Sequence, residues 1–259
     1  MTPRTAGAPA AMNEERHIEF PLRLNRYLAI CGVAARRKAE EFITSKRVSV
    51  DGRIETSVGR VLEEPADVRV DGRVVGPVRN VYIIMNKPAG ILSAASDARE
   101  STVMDLLPDF YKYLGLYPVG RLDKRSEGLI ILTNDGRFAR DLIHPSGCVE
   151  RTYSVELKYP LNARELKEWR DGVIMDGRRL KPISVREEDY PASFRHFRVV
   201  LGEGIKREIR LMAKSLGNSV VRLRRVGIGR LFLDKLRNGA FCEYNYKDLC
   251  DMIKLGGKV

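Results

Sequence analysis

The sequence predicts an α+β protein whose β-sheet is mixed but largely antiparallel. Helical and strand patterns follow one another without the regular βαβ alternation that predicts a parallel sheet. Two Asp-Gly dipeptides, Asp51-Gly52 and Asp71-Gly72, separate alternating valine-rich segments and are strong hairpin signals. A chain of 259 residues is long enough for one substantial core and a small appended domain. We therefore expect two folded units, residues 22–80 and 81–259.

The first element after the N-terminus is a predicted helix. Residues 1–21 lack the apolar stretch of a signal peptide and are predicted to be a disordered tail. Leu24, Tyr27, Leu28 and Cys31 then recur with the spacing of one helical face. Gly32 follows them, as expected for a residue that ends a helix.

The second predicted helix carries three cations in its first turn, Arg36-Arg37-Lys38, and has Ala39, Phe42 and Ile43 on its inner face. Cations at a helix N-terminus oppose the macrodipole, which costs a few tenths of a kcal/mol or more. A phosphate bound at this end would offset that cost. The two Asp-Gly hairpins follow, and residues 76–80 are predicted to be a linker because Gly76 and Pro77 interrupt the strand pattern.

Residues 22–80 resemble the RNA-binding module named after the fourth small-subunit ribosomal protein. The resemblance is carried by three segments: Arg23-Leu24-Asn25-Arg26-Tyr27-Leu28-Ala29, Gly32-Val33-Ala34-Ala35-Arg36-Arg37 and Arg47-Val48-Ser49-Val50-Asp51-Gly52. It implies that Arg36, Arg37, Lys38 and Arg47 face the RNA backbone. Ala35 departs from the usual Ser, and Lys46 stands where a turn glycine is usual. Lys46 therefore has to hold a left-handed turn.

The larger unit begins with a buried strand at 81–85. The elements predicted after it are a helix at 137–143, a strand at 153–157, a helix at 162–170, a strand at 197–201, a helix at 206–216 and a strand at 219–226. The strands among these elements make up the mixed sheet of the predicted fold, and the helices pack against it.

Composition excludes several classes of enzyme. The four cysteines include no Cys-x-x-Cys pair, which argues against a disulfide framework and a thiolate zinc site. The three histidines, one of them in the predicted tail, leave little for a Ser/His/Asp triad. No Gly-x-x-x-x-Gly-Lys-Ser/Thr motif is present. Triad hydrolases, nucleotide-driven motors and zinc enzymes are all disfavoured.

The positive charge is concentrated in two segments. The net charge is +12, and residues 22–60 carry nine basic and four acidic side chains. Residues 206–230 carry eight basic and one acidic side chain, so the two segments account for the whole excess. This distribution favours a polyanionic partner, and nucleic acid above others.

A carboxylate lies among cations in the segment from Gly120 to Leu129. Asp123 has Arg121, Lys124 and Arg125 as neighbours and precedes an apolar run. The residues alone leave open whether Asp123 forms a structural ion pair or is a working group kept ionised. Lys206 and Arg210, at i and i+4, are predicted to share one helical face.

Taken together, these segments resemble the RsuA-type ribosomal RNA pseudouridine synthases. The motifs that carry the resemblance are Asn86-Lys87-Pro88-Ala89-Gly90-Ile91, Gly120-Arg121-Leu122-Asp123, Glu127-Gly128-Leu129, Thr133-Asn134-Asp135-Gly136, Arg151-Thr152-Tyr153-Ser154-Val155 and the stretch 204–212. The resemblance implies a pseudouridine synthase catalytic domain. By it, Asp123 is the catalytic carboxylate, Tyr153 packs on the target base, and Arg210 pairs with Asp123.

The remaining roles concern RNA. The resemblance implies that Arg121 helps to hold the backbone of a flipped-out nucleotide. Lys206, Arg207 and Lys87 are expected to be RNA-binding residues. Glu208 replaces a Gln often found at its position, which mildly favours large-subunit RNA as the target.

The implied reaction breaks the bond from uracil N1 to the ribose and joins C5 to the sugar, so it needs no cofactor and no metal. A nearby guanidinium favours the charged form of a carboxylate, so we expect Asp123 to be ionised at neutral pH. Three roles stay open for it: attack on the sugar, attack on the base, or removal of a ribose proton.

Two alternatives compete with a ribosomal RNA pseudouridine synthase. A non-catalytic ribosome-associated RNA-binding or assembly factor would need the basic segments but not Asp123, Tyr153 and Arg210 together. A tRNA-modifying synthase is disfavoured by the appended module. The expected partner is ribosomal RNA or a ribosomal precursor particle, and the protein is predicted to be a cytoplasmic monomer without a membrane segment.

Overall fold

The computed structural model describes residues 18–144, 147, 149–175, 177–188, 195–205 and 207–253. Lys206 and residues 1–17 of the predicted tail lie outside this part of the chain. The tail prediction was wrong for residues 18–21, because Ile18 and Phe20 pack against the core of the N-terminal module. Apolar side chains that gain this burial stabilise an ordered segment.

The N-terminal module has the predicted helices and hairpins. Its elements are β1 (Leu22–Arg23), α1 (Leu24–Ile30), α2 (Arg36–Thr44), β2 (Val48–Val50), β3 (Arg53–Ile54), β4 (Val61–Leu62), β5 (Val68–Val70) and β6 (Arg73–Val74). Strands β3, β2, β5 and β6 form one antiparallel sheet in that order, and β1 pairs with β4. The valines of β2 and β5 face a core that also contains Leu24, Leu28 and Ile43.

Left-handed residues close the turns of this module as the sequence predicts. Both Asp51-Gly52 and Asp71-Gly72 have positive φ at each position, as a type I′ hairpin turn requires. Lys46 has φ of 59°, so this lysine does hold the left-handed turn where a glycine is usual. Its N–H donates to the Ile43 carbonyl at 3.1 Å, which helps to fix the turn after α2.

The segment predicted as a linker is hydrogen-bonded to both units. The Val78 N–H donates to the Ile30 carbonyl in the N-terminal module. Arg79 forms an ion pair with Glu243, and the Arg79 carbonyl accepts a hydrogen bond from the Asn134 side chain. Residues 76–80 are therefore attached at several points rather than a free tether.

The larger unit contains one nine-stranded sheet and a separate antiparallel pair of strands, β11 and β12. Its strands are β7 (Tyr82–Lys87), β8 (Tyr117–Val119), β9 (Glu127–Thr133), β10 (Arg151–Leu157), β11 (Val173–Met175), β12 (Arg178–Leu180), β13 (Ser184–Glu187), β14 (His196–Leu201), β15 (Val220–Ile228), β16 (Leu231–Phe232) and β17 (Phe241–Tyr244). Its helices are α3 (Asp109–Lys112), α4 (Gly136–Ile143), α5 (Ala163–Asp171), α6 (Glu208–Ser215) and α7 (Tyr246–Ile253), with a 3₁₀ turn at Val103–Leu106.

The strand order is β13-β14-β10-β15-β9-β7-β17, with β8 added to β9 and β16 to β15. Among the described strands of this sheet, only β9 and β15 pair in parallel, and they do so at two positions, Arg224 with Glu127 and Arg225 with Gly128. We call this short pairing the seam. The prediction of a mixed, largely antiparallel sheet is confirmed.

The two faces of the sheet differ along its length. Tyr153 pairs directly with Arg225, so both side chains lie on one face, here called the front face. Helices α5 and α6 pack on the front of β10, β14 and β13 around Trp169 and Phe197. Ser154 and Arg224 lie on the opposite, back face, where α4 and α7 pack against β7 and β9. None of the described helices is long and apolar enough to cross a membrane.

Candidate active site

The loop that carries Asp123 is pinned to the front of the sheet on its N-terminal side. Leu122 is buried in the core cluster beneath β7 and β9. The Ser93 hydroxyl accepts from the Leu122 N–H at 3.1 Å and donates to the Leu122 carbonyl at 2.9 Å. The residue before Asp123 is thus held through both backbone groups and its side chain.

Lys87 holds the other side of this loop. Its ammonium donates to the carbonyls of Pro88 and Ser126 at 2.8 Å, and more weakly to the Lys124 carbonyl at 3.4 Å. Burial lowers the pKa of Lys87 to about 8, against the opposing effect of Glu127 and Asp123. The prediction that Lys87 binds RNA was wrong, because its side chain is fully buried and committed to these carbonyls.

Gly128 makes the seam possible. A Cβ built on it would lie 2.2 Å from the Arg225 carbonyl oxygen, and its φ is +108°. Strand β9 can therefore approach β15 at this position only with glycine. The approach sets the Asp123 loop beside the start of β15 and the helix that precedes it.

Arg210 reaches this loop from α6. Its Nε lies 3.9 Å from Oδ2 of Asp123, its Nη1 donates to the Val220 carbonyl at 3.1 Å, and its Nη2 lies 3.5 Å from the Ser126 hydroxyl. The Arg210 side chain is 17% exposed and that of Asp123 is 39% exposed. The structure therefore brings together the carboxylate and the guanidinium that the sequence singled out.

Burial lowers the pKa of Arg210, and the Asp123 carboxylate opposes the shift. A guanidinium stays protonated at any ordinary pH, so the half-buried cation is a permanent counter-charge for Asp123. The Asp123 carboxylate is part-exposed and only loosely paired with this cation, so it is open to a bound molecule.

The helix that carries Arg210 begins later than predicted. It starts at Glu208, and Arg207 has φ of 59°, which excludes it from the right-handed helix. The predicted helix is therefore wrong at Arg207, and the predicted shared face of Lys206 and Arg210 depends on Lys206, which lies outside the described residues. Sequence periodicity gave no signal for the left-handed residue, because arginine is an ordinary helix former.

Tyr153 lies on the front face between the core around Trp169 and Phe197 and the core that contains Leu122. It is half-buried and packs against side chains of both clusters. Its register neighbours form a row across the sheet, from Val199 through Tyr153 and Arg225 to Gly128 and Lys87. The ring thus lies on the same face as Lys87, whose ammonium holds the Asp123 loop.

Two buried front-side groups have unpartnered side-chain atoms, and one of them, Arg225, was not singled out from the sequence. Arg225 is 4% exposed; its Nε donates to the Leu129 carbonyl at 2.7 Å, and its Nη2 finds no partner among the described residues. Glu208 is also 4% exposed, with Oε2 unpartnered in the same part of the chain. Burial raises the pKa of Glu208 to about 7, and Glu203 adds to the shift, while the backbone of Ile205 and Arg178 oppose it.

The predicted RNA-binding cations lie in different surroundings. Arg121 and Arg207 are exposed near the Asp123 loop and α6. Arg36, Arg37 and Lys38 are exposed on the first turn of α2, whose N-terminus has no acidic residue and no side-chain cap. Arg47 is paired through two nitrogens with Asp71 and lies over the Phe42 ring. Lys206 lies outside the described residues.

Residues 81–215 match the family model described as RNA pseudouridylate synthase, and residues 22–68 match that of the S4 domain. The chain belongs to the RNA pseudouridylate synthase family. It is therefore an enzyme of the isomerase class, with an S4 domain in front of its synthase domain.

Relatives of this synthase span nearly all of it. An RNA pseudouridine synthase of Aquifex aeolicus is 35% identical over 91% of this chain and 95% of its own length. Ribosomal large subunit pseudouridine synthase B of Bacillus subtilis is 33% identical over 84% of this chain and 89% of its own. The dual-specificity RNA pseudouridine synthase RluF of Escherichia coli is 31% identical over 90% and 79%.

A solved structure supports the fold. The crystal structure of a pseudouridylate synthase superimposes with a TM-score of 0.63 over 89% of this chain and 99% of that one, at 24% identity. The predicted resemblance to this enzyme family is confirmed, and so is the two-part fold.

Proposed function

We propose that this synthase converts uridine to pseudouridine at a specific site in ribosomal RNA, with Asp123 as the catalytic carboxylate. The observation that carries the proposal is the pairing of a part-exposed Asp123 with Arg210, at 3.9 Å, on a loop fixed by Ser93 and Lys87. A carboxylate fixed in this way needs no reorganisation when the target arrives.

The proposed reaction is balanced within one nucleotide. The bond from N1 to the ribose breaks, C5 bonds to the same ribose carbon, the C5 proton leaves, and N1 takes up a proton. The target base has to leave its stack, at a cost of a few kcal/mol. Stacking on the half-buried Tyr153 ring would offset part of that cost, since base–aromatic stacking contributes about 1–3 kcal/mol.

The proposed RNA contacts divide between the two domains. Arg121, next to the Asp123 loop, contacts the backbone of the flipped nucleotide, and Lys206 and Arg207 contact phosphates nearby. In the S4 domain, the exposed Arg36, Arg37 and Lys38 face the RNA backbone. Arg47 joins them only with its remaining N–H groups, because Asp71 already takes two of its nitrogens.

Large-subunit RNA is the favoured target. The name of the Bacillus subtilis relative assigns that protein to the large ribosomal subunit. Glu208, in place of Gln, is in keeping with the same target. The alternative of a non-catalytic assembly factor is disfavoured because it gives no reason for the Asp123 and Arg210 pair.

Tritium release from ribosomal RNA labelled at uracil C5 tests the proposal, because joining C5 to the sugar must expel that hydrogen. Large- and small-subunit RNA are assayed separately, as naked RNA and as precursor particles. We expect release by the wild type from large-subunit RNA. We expect none by Asp123→Asn, which keeps size and polarity but removes the charge.

A matched control is Asp109→Asn, which removes an exposed carboxylate that pairs with Lys112. This variant should release tritium as the wild type does. Turnover by Asp123→Asn would refute the catalytic assignment. Tight binding without release from any RNA or particle would instead favour the assembly factor.

A further inference from the structure

A basic cavity lies on the back face of the sheet, behind the seam. It has a volume of about 190 Å³ and is lined by Asn86, Glu127, Arg222, Arg224, Leu236, Arg237 and Asn238. Arg224 pairs with Glu127 across the seam and with Ser154 on the other side. Since Tyr153 and Arg225 project to the front, the cavity and the candidate active site are on opposite faces.

The cavity contains arginine side chains that are available to bind a ligand. Glu127 is 11% exposed at its side chain and accepts from Nε of Arg222 at 2.5 Å. The side chains of Arg224 and Arg237 form no hydrogen bond or ion pair within the described part of the chain. Three arginines against one carboxylate give this small space a net charge of +2, so an anion is the ligand that it fits.

The size of the cavity limits that anion. Its volume corresponds to about six water molecules at roughly 30 Å³ each. Cavities that enclose a whole drug-sized ligand begin at about 300 Å³. The volume matches one phosphate group with part of its attached sugar.

The surroundings favour a polymer as the source of the phosphate. Along the register of the seam, the back face continues from Arg224 over Ser154 to Arg198 and Arg186. Helices α5 and α6 pack on the front of these strands. Arg186 is exposed and Arg198 is 42% exposed, paired with Glu188. A basic strip that leads into a cavity suits a chain of phosphates better than a single ion.

We infer that this back-face cavity binds a backbone phosphate of the RNA substrate close to the target nucleotide, with Arg224 and Arg237 as the phosphate ligands. The inference rests on the proposed function. Glu127 follows Asp123 by four residues, so the two are at most about 14 Å apart along the chain. Because the Asp123 loop leads directly into β9, one RNA strand that passes the N-terminal end of β9 can place its target in front of the sheet and a nearby phosphate behind it.

The test is the double variant Arg224→Gln/Arg237→Gln, with labelled transcripts of large- and small-subunit ribosomal RNA as probes. Affinity is measured from 50 to 300 mM salt, and tritium release under single-turnover conditions with saturating enzyme. We expect about tenfold weaker binding at 150 mM salt. The salt slope, which is the slope of log K against log salt concentration, should become less steep by about 0.7–0.9. The single-turnover rate should stay within about twofold of wild type, since no front-face group changes.

Two matched variants complete the test. Arg224→Lys/Arg237→Lys keeps the charge and should restore most of the salt slope. Arg164→Gln/Lys167→Gln removes two exposed cations from α5 and should change the slope less than the back-face pair does. An unchanged slope for the back-face pair, or an equal loss for the α5 pair, would overturn the inference.

The outcomes separate this inference from the proposed function. If the wild type releases no tritium while the back-face variant still lowers the salt slope, the phosphate site stands and the reaction assignment falls. If release is normal and the slope is unchanged, the phosphate site falls alone.

Discussion

The front and back of the seam use arginine in opposite ways. On the front, Arg210 and Arg225 are mostly buried and donate to the carbonyls of Val220 and Leu129. On the back, Arg222 is exposed, and Arg224 and Arg237 keep their donors available within the described chain. The basic segment 206–230 therefore supplies a fixed electrostatic environment on the front and, with Arg237, the site that we infer for phosphate on the back.

The comparison teaches that charge count is a poor guide to RNA contact in this protein. A strand places alternate side chains on opposite faces, so neighbouring arginines of β15 have different fates. Buried cations cost free energy unless they are paired, and they are retained where they fix a loop or a carboxylate. Exposed cations cost little and add affinity that depends on salt.

Gly128→Ala should break both faces at once and have the largest effect. The added Cβ would lie 2.2 Å from the Arg225 carbonyl, in a left-handed conformation. We expect a loss of more than about 4 kcal/mol in the free energy of unfolding, measured with urea. Gly177→Ala is the control, because Gly177 also has positive φ but open space around it. It should lose only about 1 kcal/mol, and equal losses would contradict the role of the seam.

Arg210→Ala should impair the candidate active site on the front face without affecting RNA binding on the back face. We expect turnover to fall at least 100-fold, about 3 kcal/mol in activation free energy, with RNA affinity little changed. This is the reverse of the Arg224→Gln/Arg237→Gln variant, which should bind RNA more weakly but keep its rate. Single-turnover rates and binding constants measure both effects. Unchanged turnover would mean that Arg210 is not the partner on which Asp123 depends.

Glu208→Gln should reveal the cost of a buried acid that has no ion-pair partner among the described residues. The pKa of Glu208 is raised from 4.5 to about 7, so the unfolded chain loses this proton before the folded protein does. Stability from this group is complete below pH 4.5 and is lost as pH rises to 7. The variant should be more stable at pH 8, by up to about 3 kcal/mol.

The difference in free energy of unfolding between Glu208→Gln and wild type should shrink towards pH 4.5, where the side chain at position 208 is neutral in both folded proteins. Urea titrations at pH 4.5, 6 and 8 measure it. Glu127→Gln is the contrasting variant, because Glu127 has Arg222 as its partner. It should lose stability at pH 8, and a gain as large as that of Glu208→Gln would contradict the distinction between paired and unpaired acids.

Lys87→Met should have the smallest effect on stability. It removes three hydrogen bonds to carbonyls but also relieves the burial of a charge, so we expect a net loss of about 1–2 kcal/mol. Turnover should fall about tenfold because the Asp123 loop loses its support on one side. A variant with wild-type turnover, measured by tritium release, would show that Ser93 and Leu122 hold the loop by themselves.

Local sequence determined the elements of this protein and the family of its site. The Asp-Gly hairpins, the glycine after α1 and the apolar run of β9 act through neighbours in the chain, so their spacing predicts them. Asp123, Tyr153 and Arg210 could be singled out as candidates because their motifs are short and contiguous. The left-handed conformation of Lys46 was predicted because this lysine stands where a turn glycine is usual.

Only the tertiary structure decided which charged groups are buried and which face solvent. Lys87 looks like any basic residue in sequence, yet it becomes a buried support because β7 ends against the Asp123 loop. Arg224 and Arg225 are adjacent in sequence and lie on opposite faces because side chains alternate along β15. The packing of β15 against β9 then buries Arg225, whose Nε donates to the Leu129 carbonyl, and leaves Arg224 half-buried. Burial depends on contacts between segments far apart in the chain, and spacing along a single segment carries no record of them.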